Sequence, residues 1–142
     1  MAPKKHKLSV SIEEDYCLLG ISSDEPDYKV CWLINENARF SLTREDDLVL
    51  YNRKNVQEQV FSYFIYEDEN TRIIYRLISN RTDTGFFLPE LSNIDYVLHI
   101  QGDIHPEGIS SLLSVISSIP AVRLCVPINL KKLKSQDRLQ LW

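Results

Sequence analysis

Apolar residues recur along this chain with two periods, and each switch between them marks a change of element. Leu8, Val10 and Ile12 alternate with Ser9 and Ser11, the pattern of a strand with one buried face. Residues 16–21 form an apolar run that Gly20 interrupts, and the acidic turn Glu13-Glu14-Asp15 allows a hairpin or one long bent strand. Phe40 and Leu42 alternate with polar neighbours as a further strand, residues 48–51 make a short one, and 52–58 read as a polar loop. The segments 60–66 and 72–79 are rich in β-branched and aromatic residues. Glu67-Asp68-Glu69-Asn70 between them is a hairpin connection, so the two are expected to pair antiparallel. In the second of them Ile73, Tyr75 and Leu77 share one face and Ile74, Arg76 and Ile78 the other, with Arg76 expected at a solvated rim. Residues 96–100 form a strand ending at Gly102, and Val122, Leu124 and Val126 alternate in a last one.

Two stretches carry the helical period. Ser22 and Glu25 have capping-box spacing ahead of Pro26, which predicts a helix over 26–37. Tyr28, Val30, Cys31, Trp32, Leu33 and Ile34 nearly surround its axis. Such a helix is buried on more than one side or engaged in a subunit contact, which makes Tyr28 and Trp32 interface candidates. After Pro106, the residues Ile109, Leu112, Leu113, Ile116 and Ile119 fall on one face, with serines on the others, until Pro120 stops the helix. Leu130, Leu133 and Leu139 among lysines suggest a short terminal helix. Two principal helices among some seven hairpin-linked strands predict an α+β domain, a mainly antiparallel sheet with both helices on one face. Residues 1–7 are expected to be a basic, flexible lead and 8–142 the single domain. An uncovered apolar second face would dimerise or bind a partner.

Composition fits that picture. A chain of 142 residues is one ordinary domain and buries about two-thirds of the surface it exposes unfolded. Its 44% hydrophobic and 25% charged residues are those of a globular protein. A net charge of -4 argues against general duplex binding, and nucleic acid is not an expected partner. The basic clusters Lys4-Lys5-His6-Lys7 and Lys131, Lys132, Lys134, Arg138 read as solvated flanks. Cys17, Cys31 and Cys125 are too few and too scattered for a disulfide framework or zinc ribbon, and are expected as small buried residues. With no signal-peptide pattern and no long apolar window, a cytoplasmic, reduced protein outside any membrane is expected.

The densest local signal is Leu88-Pro89-Glu90-Leu91-Ser92-Asn93-Ile94-Asp95-Tyr96, where a turn, two carboxylates and an aromatic precede a strand. As chemistry, Glu90 and Asp95 would be weak catalytic candidates, a carboxylate pair for acid/base work that needs one shared cleft. As architecture, Pro89 opens a helical turn with Glu90 near its positive end, and Asp95 accepts backbone N–H bonds where the strand begins. The residue types suit the architectural role better.

Through Pro89-Glu90 and Ile94-Asp95-Tyr96 the chain resembles the small bacterial family named for its IPExxVDY motif. The likeness extends to residues 27–35 and to Tyr75-Arg76-Leu77-Ile78-Ser79-Asn80-Arg81. Leu88 and Ile94 replace the motif's Ile and Val, and three residues rather than two separate Glu90 from Ile94. The resemblance implies a bacterial cytoplasmic protein and transfers no activity, cofactor or catalytic residue.

Other candidates are weaker. His99, Asp103 and His105 have the types of metal ligands but match no established spacing, so no metal or other cofactor is expected. Phe61, Tyr63, Phe64, Tyr66 and Tyr75 would stack bases only from an exposed face, and packing is their commoner use. With no nucleotide loop or nucleophile elbow, the expected function is that of a non-enzymatic interaction or self-associating domain, whose partner is a second copy or another protein. The alternative is an enzyme or small-ligand binder that uses the 89–96 segment.

Overall fold

The computed structural model describes residues 15–52 and 57–140. In chain order the elements are β1 (Tyr16–Ser23), α1 (Asp27–Ala38), β2 (Thr43–Arg44), β3 (Leu48–Asn52), β4 (Gln57–Phe61), β5 (Tyr63–Glu67) and β6 (Ile74–Ser79). There follow β7 (Arg81–Thr82), β8 (Gly85–Phe86), β9 (Tyr96–Gln101), α2 (Pro106–Ser117) and β10 (Val122–Pro127). Six strands make one antiparallel sheet in the order β10-β1-β9-β6-β5-β2. Two small ribbons, β3-β4 and β7-β8, accompany it. This is the expected α+β domain with an antiparallel sheet. No helix among the described residues is long and apolar enough to cross a membrane.

Both helices cover one face of the sheet. Val30, Cys31 and Ile34 of α1 and Ile109, Leu112, Leu113 and Ile116 of α2 pack on Cys17, Leu19, Ile21, Leu77, Leu98 and Ile100. These sheet residues alternate with Leu18, Ile78 and Val97, which point the other way. The sequence left the state of that second face undecided, and it is covered. Phe61, Phe87, Leu88 and Ile94 lie on it together with Leu130, Leu133 and Leu139 of the C-terminal segment. All eight residues of β1 are therefore buried. Gly20 belongs to this second layer: a Cβ there would meet Ile128 Cδ1 at 2.9 Å and Ile94 Cδ1 at 3.0 Å, so only a bare backbone lets both side chains approach.

Several local expectations change. Ser22 lies in β1, so it cannot cap α1. Pro26 occupies the N-cap position without a side-chain bond, while the Ser23 hydroxyl accepts from the Glu25 N–H at 3.2 Å. α1 is buried on one side only, with Tyr28 and Trp32 outside. The expected strand 60–66 breaks at Ser62, whose carbonyl accepts from the Ser79 N–H, and its halves join different sheets. Of the strand around Phe40 only Thr43–Arg44 pairs, because Phe40 turns onto Tyr75 with ring centroids 4.3 Å apart. The terminal helix is two short 3-10 pieces, Leu130–Lys132 and Gln136–Gln140. The expected strand 8–12, the basic lead 1–7 and positions 53–56 of the expected loop lie outside the described residues, whereas Asn52 ends β3 and Gln57 and Glu58 open β4 instead of lying in a loop.

Arg76 is also buried rather than at a rim. Its Nε donates to Tyr63 Oη at 3.2 Å and its Nη1 to Gln101 Oε1 at 2.7 Å, acceptors that neighbouring strands supply. Across from it in the register, His99 stacks on Tyr16 with centroids 5.0 Å apart. Burial, and then the Arg76 guanidinium, push the His99 imidazole from 6.5 down to about 3.

The unfolded chain takes up this proton near 6.5 and the folded one only near 3, so the stability contributed by neutral His99 is complete above the first value and lost as pH falls toward the second. In urea melts we expect a loss of up to about 1.4 kcal/mol per pH unit between about pH 6 and 5, and a shallower slope in His99→Phe. An unchanged slope in that variant would contradict a neutral buried ring.

Candidate functional site

The 89–96 segment begins where β6 ends. Asn80, fully buried at that point, uses its whole side chain on this segment. Its Nδ2 donates to the carbonyls of Leu91 and Ile94, both at 2.9 Å, and its Oδ1 accepts from the Leu88 N–H at 2.7 Å. Its backbone adds two bonds: the carbonyl accepts from Phe87 and the N–H donates to Asp95 O, each at 2.8 Å. Pro89–Leu91 forms the expected helical turn inside this frame.

Three consecutive residues then take separate directions. Ile94 enters the second core beside Gly20. Asp95 Oδ2 accepts from the Ser23 N–H at 2.9 Å and the Ser22 hydroxyl at 3.2 Å. Arg81 Nη2 reaches Oδ1 at 2.6 Å and Arg123 Nη2 reaches Oδ2 at 3.5 Å, while the other arm of Arg123 meets Asp24 at 2.5 Å. Tyr96 donates its hydroxyl to the Glu25 carbonyl at 2.6 Å. Burial, and then the carboxylates of Asp27, Asp95 and Glu25, push that phenol up to about 12, so it stays a donor. Asp95 and Tyr96 thus clamp the corner between β1 and α1.

Glu90 works on a different part of the chain. Its Oε2 accepts from the backbone N–H groups of Lys134 and of Ser135, the latter at 2.7 Å, and its Oε1 from the Ser135 hydroxyl at 2.7 Å. Burial alone would raise this carboxyl, but the Ser135 hydroxyl and the backbone donors outweigh it and hold it below the ordinary range. Arg138, expected as a solvated flank, supports the same junction by donating to the carbonyls of Phe86 and Phe87 at 3.0 and 2.9 Å and to Gln59 Oε1 at 2.7 Å. Lys131, Lys132 and Lys134 are exposed.

The two carboxylates share no hydrogen-bond partner among the described residues. Glu90 lines a cleft of about 270 Å³ with Leu91, Pro127, Ile128, Asn129, Lys132 and Leu133, and Asp95 is not in its wall. Both oxygens of each carboxylate are held by donors, so each acts as a fixed acceptor rather than as a base facing a substrate.

The other candidates also disperse. His99 is buried beside Tyr16, whereas Asp103 and His105 are exposed ahead of α2, and no cluster of three or more His, Cys, Asp or Glu able to hold a metal occurs among the described residues. Phe61 and Tyr63 enter the second core, and Phe64, Tyr66 and Tyr75 pack on the first, so they form no common platform. Cys17, Cys31 and Cys125 are buried thiols. Tyr28 is 69% exposed and Trp32 54%. Asn80, Arg81, Arg123, Ser22 and Ser23 belong to this site without any sequence pattern having pointed there, since Ser22 reads as a helix cap and Asn80 and Arg81 enter only through the family likeness.

No family model, curated protein or solved structure matches the chain.

Asn80→Ala would leave the Leu88 N–H and the Ile94 carbonyl buried without their partner, each costing about 1–3 kcal/mol, while the Leu91 carbonyl keeps the Ile94 N–H at 3.0 Å. We expect chemical denaturation to report a loss of at least about 2 kcal/mol. Hydrogen exchange separates the two carboxylates: Asp95→Ala should accelerate the Ser23 amide, and Glu90→Ala those of Lys134 and Ser135. A variant that loosened both regions equally would show instead that they act as one unit.

Proposed function

We propose that this chain is a non-enzymatic interaction domain whose contact surface is the outer face of α1. The observation that carries this reading is the exposure of Tyr28 and Trp32, one turn apart on that helix, although both faces of the main sheet are covered. Large aromatics bury much area at little entropic cost, which is why they dominate protein contacts. The clamp formed by Asp95 and Tyr96 fixes the corner from which α1 departs, so on this reading the motif serves function by holding the presenting helix. A bacterial cytoplasmic setting and kinship with the IPExxVDY family belong to the same proposal, supported by the residues around Pro89 and Asp95. The cleft beside Glu90 favours the second reading, a small-ligand binder, but that carboxylate is already spent on Lys134 and Ser135.

A photo-crosslinking residue at position 28, in the full chain expressed in the cells it comes from, is expected to give a discrete adduct with a protein. The same residue at exposed Ser111 of α2 should give none. Absence of an adduct at 28, or equal labelling at both positions, would remove the basis for this function.

A further inference from the structure

We propose that the occupant of this face is a second copy of the chain, its α1 packed antiparallel about a two-fold axis beside Trp32. The inference rests on the reading of α1 as the contact surface, and the charge order along the helix carries it further. Lys29 and Glu36 are both exposed, as are Tyr28 and Trp32 between and beside them. With about 100° of turn per residue, the positions three before and four after Trp32 fall on the same side of it, about 60° and 40° around the axis. Along the axis they lie about 4.5 Å before and about 6 Å after.

A two-fold axis perpendicular to the helix keeps that side and reverses that direction. It therefore brings Lys29 of each copy to Glu36 of the other, twice, on either side of a central Trp32 pair. Glu25, just ahead of the helix, and Arg39, just after it, repeat the same opposition of charge farther out. Parallel pairing would set Lys29 against Lys29 and Glu36 against Glu36, which like-charge repulsion disfavours. Within one chain the two residues are about 10.5 Å apart along the axis, too far to satisfy each other. Lys29 instead lies over the Trp32 ring, 5.2 Å from its centroid. An isologous contact of this kind closes on itself and leaves no growing end. Twelve residues of helix bury less than the ~800 Å² per partner of a standard interface, so a dimer that dissociates in the micromolar range is expected.

The test is sedimentation of the full chain over a wide concentration range, with charge-reversed variants. The wild type should pass from monomer to dimer. Lys29→Glu alone and Glu36→Lys alone should each raise the dissociation constant by about tenfold or more, since each places like charges together twice. An equimolar mixture of these two variants, and the double variant K29E/E36K, should both recover the wild-type value. Only an intermolecular Lys29–Glu36 pairing predicts that recovery. A chain that stays monomeric, a dimer indifferent to either reversal, or a double variant as weak as the single ones would each overturn the inference. Because the crosslink at position 28 is read independently, an adduct with a different protein and a monomeric chain would sink this dimer and leave the broader reading standing. No adduct and no dimer would sink both.

Discussion

One buried carboxamide sets the geometry at the top of this sheet. A fully buried amide is costly unless its polar atoms are paired, and Asn80 pairs all of its side-chain groups with a single loop. The loop is thereby held against the end of β6. The Asp95 N–H in turn donates to the Ile21 carbonyl at 2.9 Å, so β1 is drawn to the same point. Every polar contact of the motif follows from that position. Asp95 reaches Ser22, Ser23, Arg81 and Arg123, Tyr96 reaches Glu25, and Glu90 reaches the C-terminal segment, because the backbone between them is fixed.

The second constraint is that the central strands are covered on both sides. Cys17, Leu19 and Ile21 of β1 need the helices, whereas Leu18 needs the loop and the C-terminal segment. Short 3-10 pieces suffice for that second cover, since Leu130, Leu133 and Leu139 only have to lie over a flat apolar layer. Glu90 and Arg138 anchor them at the side-chain level. Burial on both faces also explains how Arg76 and His99 come to be inside. Their backbone positions alternate toward the second layer, and Tyr63, Gln101 and Tyr16 meet them there. With the central strands closed in this way, the exposed large apolar residues among those described are Tyr28 and Trp32 on α1, Val49 and Tyr51 on β3, and Leu124 on the edge strand β10.

Legibility in the sequence followed the strength of periodicity. The strands at 74–79 and 96–101, the helix at 106–117 and the strand at 122–127 lie close to where their patterns place them, because each has a regular period and the last three also have a Gly or Pro boundary. Where an apolar residue changes partner instead of face, the pattern misleads. Ser62 splits one continuous run between two sheets, and Phe40 leaves its strand to pack at a tilt against Tyr75. α1 looked apolar all round, yet its one-sided burial depends on where the sheet ends beneath it.

Residue order alone carries the α+β class, the antiparallel hairpin around 67–70, the inward face of α2, the burial of the cysteines and the architectural bias of Pro89, Glu90 and Asp95. These are properties of near neighbours, in which side-chain alternation and turn chemistry act over a few residues. Packing of the folded chain settles that Glu90 and Asp95 serve different junctions, that Asn80 holds the loop between them, and that the second sheet face is closed while Tyr28 and Trp32 stay outside. The carboxylate junctions are contacts across 40 or more positions, Glu90 to Ser135 and Asp95 to Ser23, and a local pattern carries no record of which distant donor a carboxylate will meet.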